Sequence, residues 1–221
     1  MVKKHISFNK KNAKENKLTM VAGIILGLII VAVIVYGSYQ LINKATSKED
    51  LSVYNGFAFE HRVTEKQDFW ITHVQLSGDV YEVPFYNHPS GLEDYVYDDR
   101  VTEYLLRKGI QEIILAVHPD AGSTPVLAGI NIARVTGKFY GISTSSALYV
   151  PEDETYDLNI TQVNCGDATG QKPIIWLTNT TVEPSVILSD DEHFCIYVSG
   201  EGDNILAAAD LLVYKLLGIM V

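Results

Sequence analysis

IQEIILAVHPDAGSTPVLAGINIARVTGKFYGISTSSALYV, residues 110–150, decides the fold class. Its opening run, 110–117, is apolar and rich in branched side chains, and marks the most deeply buried strand of the chain. Pro119, Gly122 and Ser123 interrupt that run. Thr124 is a good N-cap, and Pro125 suits the first helical position because its missing N–H would have no partner there anyway. The spacing predicts a helix over 125–138 with Val126, Ile130, Ala133 and Gly137 on one side. Residues 142–150 then return as a strand, which makes a strand–helix unit laid on a sheet.

Upstream, residues 54–86 alternate like an antiparallel meander. Strands are expected at 54–61, around Phe57 and Phe59, at 69–76, with Trp70 and the β-branched Ile71, Thr72 and Val74, and at 80–86. Residues 64–67 form one turn and Ser77-Gly78-Asp79 the next. After the break at His88-Pro89-Ser90-Gly91, a short helix is capped by Asp98 or Asp99, carries Val101, Tyr104, Leu105 and Lys108 on one face, and stops at Gly109.

Downstream, the acidic stretch PEDETYD from Pro151 is a solvated loop. Short strands follow at 173–178, 185–188 and 194–199. Asp203 caps a last helix over 204–217, ended by Gly218. That helix (ILAAADLLVYKLL) is apolar on most sides, so a sheet should cover it. The expectation is an α+β (mixed α/β) domain, with an N-terminal β-meander beside strand–helix units on a mixed sheet. A faint internal echo supports two such units. Residues 126–133 (VLAGINIA) resemble 205–212 (ILAAADLL), and each segment is followed by Gly-Ile, at Gly141-Ile142 and Gly218-Ile219.

The N-terminus obeys different rules. No charged residue lies between Leu18 and Asn43, and 20–36 is almost wholly apolar. A bilayer core about 30 Å thick needs about 20 helical residues, which this span supplies. Six lysines precede it (Lys3, Lys4, Lys10, Lys11, Lys14 and Lys17), whereas Lys44 and Lys48 follow in the company of Glu49 and Asp50. The positive-inside rule then sets residues 1–17 as a cytoplasmic tail, 18–42 as a single transmembrane helix, 43–53 as a stalk and 54–221 as an extracytoplasmic domain. Tyr36 and Tyr39 suit the outer interface. The span is longer than a signal-peptide core, and no strong cleavage site follows it. A pilin-type leader is the rival, opposed by the absence of an acidic residue from 19–40. Gly23 and Gly27 form a GxxxG spacing that permits self-association in the membrane.

Charge divides along the same line. Residues 1–50 carry a net +5 and residues 51–221 a net −15. So acidic a domain repels phosphate backbones, which argues against a nucleic-acid partner and suits solubility, cations or a basic protein partner. Cys165 and Cys195 are the two cysteines, both beyond the span. An even count in an oxidising compartment reads as one disulfide, and two buried free thiols are the competing reading. Asn159-Ile160-Thr161 and Asn179-Thr180-Thr181 are glycosylation acceptors compatible with export.

Chemistry is sparse. The loop His118-Pro119-Asp120-Ala121-Gly122-Ser123-Thr124 runs from a strand end to a helix N-terminus, where α/β folds often bind ligands. His118 as base and Ser123 as nucleophile are the weak catalytic candidates, yet no GxSxG elbow, Walker loop or GxGxxG fingerprint is present. A metal site would need His118, Asp120, Asp190, Asp191 and His193 to converge, and no ligand-spacing motif supports that, so neither metal nor cofactor is expected. Trp70, Trp176 and the 13 tyrosines read as strand and core residues.

The order Tyr54-Asn55-Gly56-Phe57, residues 174–177 (IIWL), residues 195–200 (CIYVSG), Ala207-Ala208-Ala209-Asp210 and Leu217-Gly218-Ile219 resembles a group of uncharacterised single-pass surface proteins of small-genome archaea. The resemblance implies a secreted domain with a Cys165–Cys195 bridge and carries no known activity. The expected role is therefore a membrane-anchored extracytoplasmic binding or structural module, held in the lipid bilayer through residues 18–42 and meeting a protein or cell-envelope partner. The alternatives are an anchored hydrolase using the 118–124 loop and a pilin-like or envelope-assembly subunit.

Overall fold

The computed structural model describes residues 33, 36, 50–64, 67–151, 154, 156–189 and 194–221. The chain divides into two units, 1–48 and 49–221, and the described fold belongs to the second. The expected 18–42 span, including Gly23 and Gly27, lies outside the described residues except for Val33 and Tyr36. Among the described residues no helix is long and apolar enough to cross a membrane.

Alternation and turn chemistry build the first sheet. Its strands are β1 (Asp50–Tyr54), β2 (Phe57–Val63), β3 (Asp68–Leu76) and β4 (Asp79–Phe85), an antiparallel meander in sequence order. The meander starts earlier than the alternation suggests, because residues 50–53, expected as the end of the stalk, already pair with β2. The run expected as one strand at 54–61 is broken by a two-residue turn: Asn55 and Gly56 both have positive φ (47° and 85°) and let Tyr54 face Phe57. The same device, Ser77-Gly78 with φ 53° and 98°, joins β3 to β4.

The second sheet has seven strands in the order β5-β10-β11-β9-β6-β7-β8. They are β5 (Val96–Tyr97), β6 (Glu112–Val117), β7 (Ser143–Tyr149), β8 (Gln162–Val163), β9 (Ile174–Thr178), β10 (Ser185–Leu188) and β11 (Cys195–Ser199). Pairing is parallel throughout except between β10 and β11. The architecture is thus mixed α+β, with two sheets and three helices among the described residues. The helices are α1 (Arg100–Leu106), α2 (Thr124–Tyr140) and α3 (Asn204–Leu216).

α2 follows β6 and α3 follows β11, and the main core forms around them. On one side of α3, Tyr214 stacks on Phe85 at 3.9 Å and meets the edge of Phe59 at 5.9 Å, both from the meander. On the other side lie Val186, Ile196 and Val198 of the large sheet. Sheets on both sides explain a helix that is apolar nearly all round. Burying a side chain such as Leu211 or Leu212 contributes about 2 kcal/mol each. The far face of the large sheet carries a second cluster, including Ala116, Ala147, Tyr149, Ile174 and Cys195. There Cys165 and Cys195 are joined as a disulfide with Cα atoms 5.3 Å apart. Tyr149 stacks on Trp176 at 3.6 Å beside it.

The face of α2 differs from the expected one. Pro125, Ala128, Ile132 and Val135 are buried, whereas Val126 and Ile130 point to solvent. The helix has two apolar stripes of the same residue types, and the sheet accepts the one beside Gly129. Gly129 shows why: a Cβ there would sit 3.0 Å from Leu177 Cδ1. The helix also begins one residue earlier than Thr124 as cap suggests, with Ser123 in the N-cap position and no side-chain cap bond. Lys108 lies beyond α1 and is exposed, so it takes no part in the buried face of Val101, Tyr104 and Leu105.

Candidate functional site

The two strand–helix units meet at polar contacts: Tyr140 of α2 donates its hydroxyl to Leu216 O of α3, and Asn131 and Asp210 meet nearer the middle of the helices. Asn131 of α2 donates from Nδ2 to Asp210 Oδ1 of α3 at 2.8 Å. These two residues occupy the same position in the echoed segments 126–133 and 205–212, so the echo has a structural counterpart. The other oxygen of Asp210 accepts from the backbone N–H groups of Tyr86 and Asn87, both at 2.8 Å, and from Asn87 Nδ2 at 3.1 Å. Asp210 thereby pins the exit of β4 to both helices. Burial raises its pKa to about 7 against the pull of those four donors. Tyr214, one turn on, donates to Asn87 O at 2.7 Å.

Asn131 is only 3% exposed, and its Oδ1 has no hydrogen-bond partner. It lines a cleft between the meander and α2, with a volume of about 390 Å3. Phe69, Ile71, Pro84, Leu127 and Ile130 supply apolar walls, and Arg62, Tyr86 and Arg134 supply polar groups. Arg62 is engaged, with Glu60 at 3.0 Å and Glu82 at 3.7 Å. Arg134 has no carboxylate partner among the described residues. Burial raises the Tyr86 pKa, and Asp210 adds to the rise, while the Arg134 guanidinium opposes both.

A second cleft, of about 520 Å3, opens on the other flank of α2, over β7. Val126, Ile130 and Ala133 form one wall, Thr144, Ser146 and Leu148 the floor, and Ile160 a rim. Its lining is aliphatic apart from small hydroxyls. The adjoining strand edge is open. β8 pairs only with Leu148 and Tyr149. Leu148 N donates to Thr161 O and Val150 N to Val163 O, both at 2.9 Å. Backbone direction alternates along a strand, so Thr144 and Ser146 turn their N–H and C=O groups outward as well. Those groups have no partner among the described residues, and no Lys, Pro or bulge blocks the edge at 143–147.

The end of this groove, marked by Val117 and Leu148, borders the 118–124 loop. His118 Nδ1 accepts from Asp120 N at 3.2 Å, and His118 Nε2 is 3.5 Å from the Tyr156 hydroxyl. Tyr156 donates to Glu154 at 3.0 Å. That bond, burial and the charges of Glu154 and Asp120 raise the Tyr156 pKa. Ser123 is exposed and makes no hydrogen bond to His118. The loop therefore brings His118 to Tyr156 and not to Ser123. Asp190, Asp191 and His193 lie outside the described residues, among which no three metal-ligating side chains cluster. Asn159 and Asn179 are both exposed.

Both clefts escape a reading of the sequence, because their polar groups come from segments far apart in the chain. Set against known proteins, the chain finds no match among family models, curated sequences or solved structures.

Proposed function

We propose that the chain is a membrane-anchored extracytoplasmic binding module that captures an extended segment of a basic partner protein by strand addition to β7. The observation that carries this reading is the pairing of an open strand edge at Thr144 and Ser146 with an aliphatic groove beside it. An added strand takes its main-chain hydrogen bonds from the edge and drops alternate side chains into the groove. Charge selects the partner. Residues 51–221 carry a net −15, and Asp120 and Glu154 both act on Tyr156 where the groove ends. A second copy of so acidic a domain would be repelled, whereas a segment alternating aliphatic and cationic residues is complementary. The span at 18–42 supplies the anchor, and the disulfide fits an oxidising side of the membrane.

The test uses the full chain in nanodiscs with two hexapeptide probes, one alternating Val and Lys, the other Val and Glu. The basic peptide is expected to bind and the acidic one not, and Ile130→Glu should abolish binding while leaving the fold intact. Equal binding of both peptides, or of neither, contradicts the reading.

A further inference from the structure

The cleft on the meander side of α2 is a separate feature, and its chemistry specifies a small ligand. Asn131, 3% exposed, lines it, and the Oδ1 of that side chain is a buried acceptor without a donor. The Asn131 amide cannot turn away to satisfy that oxygen, because its Nδ2 is held by Asp210 at 2.8 Å. A buried acceptor left unmade costs about 1–3 kcal/mol, which a ligand donor would recover. At the rim stands Arg134, an exposed cation with no carboxylate partner among the described residues, in a unit that is otherwise strongly acidic. Phe69, Ile71, Pro84, Leu127 and Ile130 make the walls apolar. The volume of about 390 Å3 falls within the range of small-molecule sites.

We infer that this cleft binds an apolar α-amino acid, its ammonium donating to Asn131 Oδ1, its carboxylate paired with Arg134, and its side chain against the apolar walls. Each part of the ligand answers one unmet feature. The ammonium meets the unpaired acceptor. The guanidinium matches a carboxylate with two parallel N–H donors. Tyr86, whose ring lies 5.5 Å from that of Phe69, lines the same cleft. This site does not depend on strand addition at β7, and either can fail without the other.

The experiment is isothermal titration of the full chain in nanodiscs with L-leucine, with 4-methylpentanoate, which lacks the ammonium, and with isoamylamine, which lacks the carboxylate. L-leucine is expected to bind, and each analogue to bind at least about tenfold more weakly, since either loses a charge-assisted contact. Asn131→Ala removes a bond to Asp210 and can cost the fold, so the decisive variant is the exposed Arg134→Met. It should weaken L-leucine about tenfold and erase the preference for L-leucine over isoamylamine. Absence of L-leucine binding at millimolar concentration overturns the inference. So does equal binding of the analogues, or an unchanged affinity in Arg134→Met.

Discussion

α2 and α3 are built to one plan and finished differently. Each follows a strand of the same sheet, each ends at a glycine in the left-handed region, and they meet through Asn131 and Asp210 at equivalent positions. Yet Val126 and Ile130 are 49% and 50% exposed, while their counterparts Ile205 and Ala209 are 1% and 0%. α3 is enclosed between two sheets. α2 keeps a comparable apolar surface and leaves it open to a cleft on either flank. That apolar area, exposed in one unit and covered in its structural counterpart, is the surface on which the proposed strand capture rests.

The largest expected effect lies on the closed side. Asp210→Ala strips an acceptor from four donors and should destabilise the chain by about 3–5 kcal/mol in chemical denaturation. The same residue sets a pH dependence. Its carboxyl is raised from 3.8 to about 7 in the folded chain, so the protonated form is the one folding favours. Its contribution is present in full below about pH 3.8 and is lost as pH rises through about 7. Stability measured across that window should fall with rising pH, and Asp210→Asn should flatten the slope.

Reduction of the disulfide ranks next. Cys195 belongs to β11, the strand that leads into α3, and the bridge closes a loop of sequence separation 30. Chain entropy sets its loss at about 3–4 kcal/mol, readable as a lowered denaturation midpoint in reductant. Truncation sharpens the contrast between the helices. Leu211→Ala on α3 should cost about 2–5 kcal/mol, because a buried cavity replaces the side chain. Ile130→Ala on α2 should cost under about 1 kcal/mol and instead weaken capture of the basic peptide. Equal stability losses from the two would erase the distinction.

How much of this is legible from residues alone depends on where the information sits. The echo of 126–133 in 205–212 hints at the two units, and ILAAADLLVYKLL, apolar on most sides, calls for cover by a sheet. The Asn55-Gly56 turn is equally local, but regular alternation across it conceals the break. Which stripe of α2 faces the sheet is not local. Val126, Ile130 and Ala133 match helical periodicity as well as Ala128, Ile132 and Val135 do. What distinguishes them is the close approach at Gly129, where a Cβ would sit 3.0 Å from Leu177 Cδ1. The clefts are less local still: Arg62, Tyr86, Asn131 and Arg134 converge from three segments, and the open edge of β7 follows from β8 being two residues long. The 118–124 loop shows the converse: His118 Nδ1 accepts from Asp120 N at 3.2 Å, and Ser123, close in sequence, makes no bond to it.

Amide hydrogen exchange of the full chain, read at Thr144 and Ser146 with and without the alternating Val–Lys hexapeptide, tests the open flank of α2 most directly. Both amides should exchange rapidly in the free chain and become protected when the peptide is added, with Ala147 protected in either state by its ladder to β6. Protection of Thr144 and Ser146 before any peptide is present, or rapid exchange that saturating peptide leaves unchanged, would contradict the account.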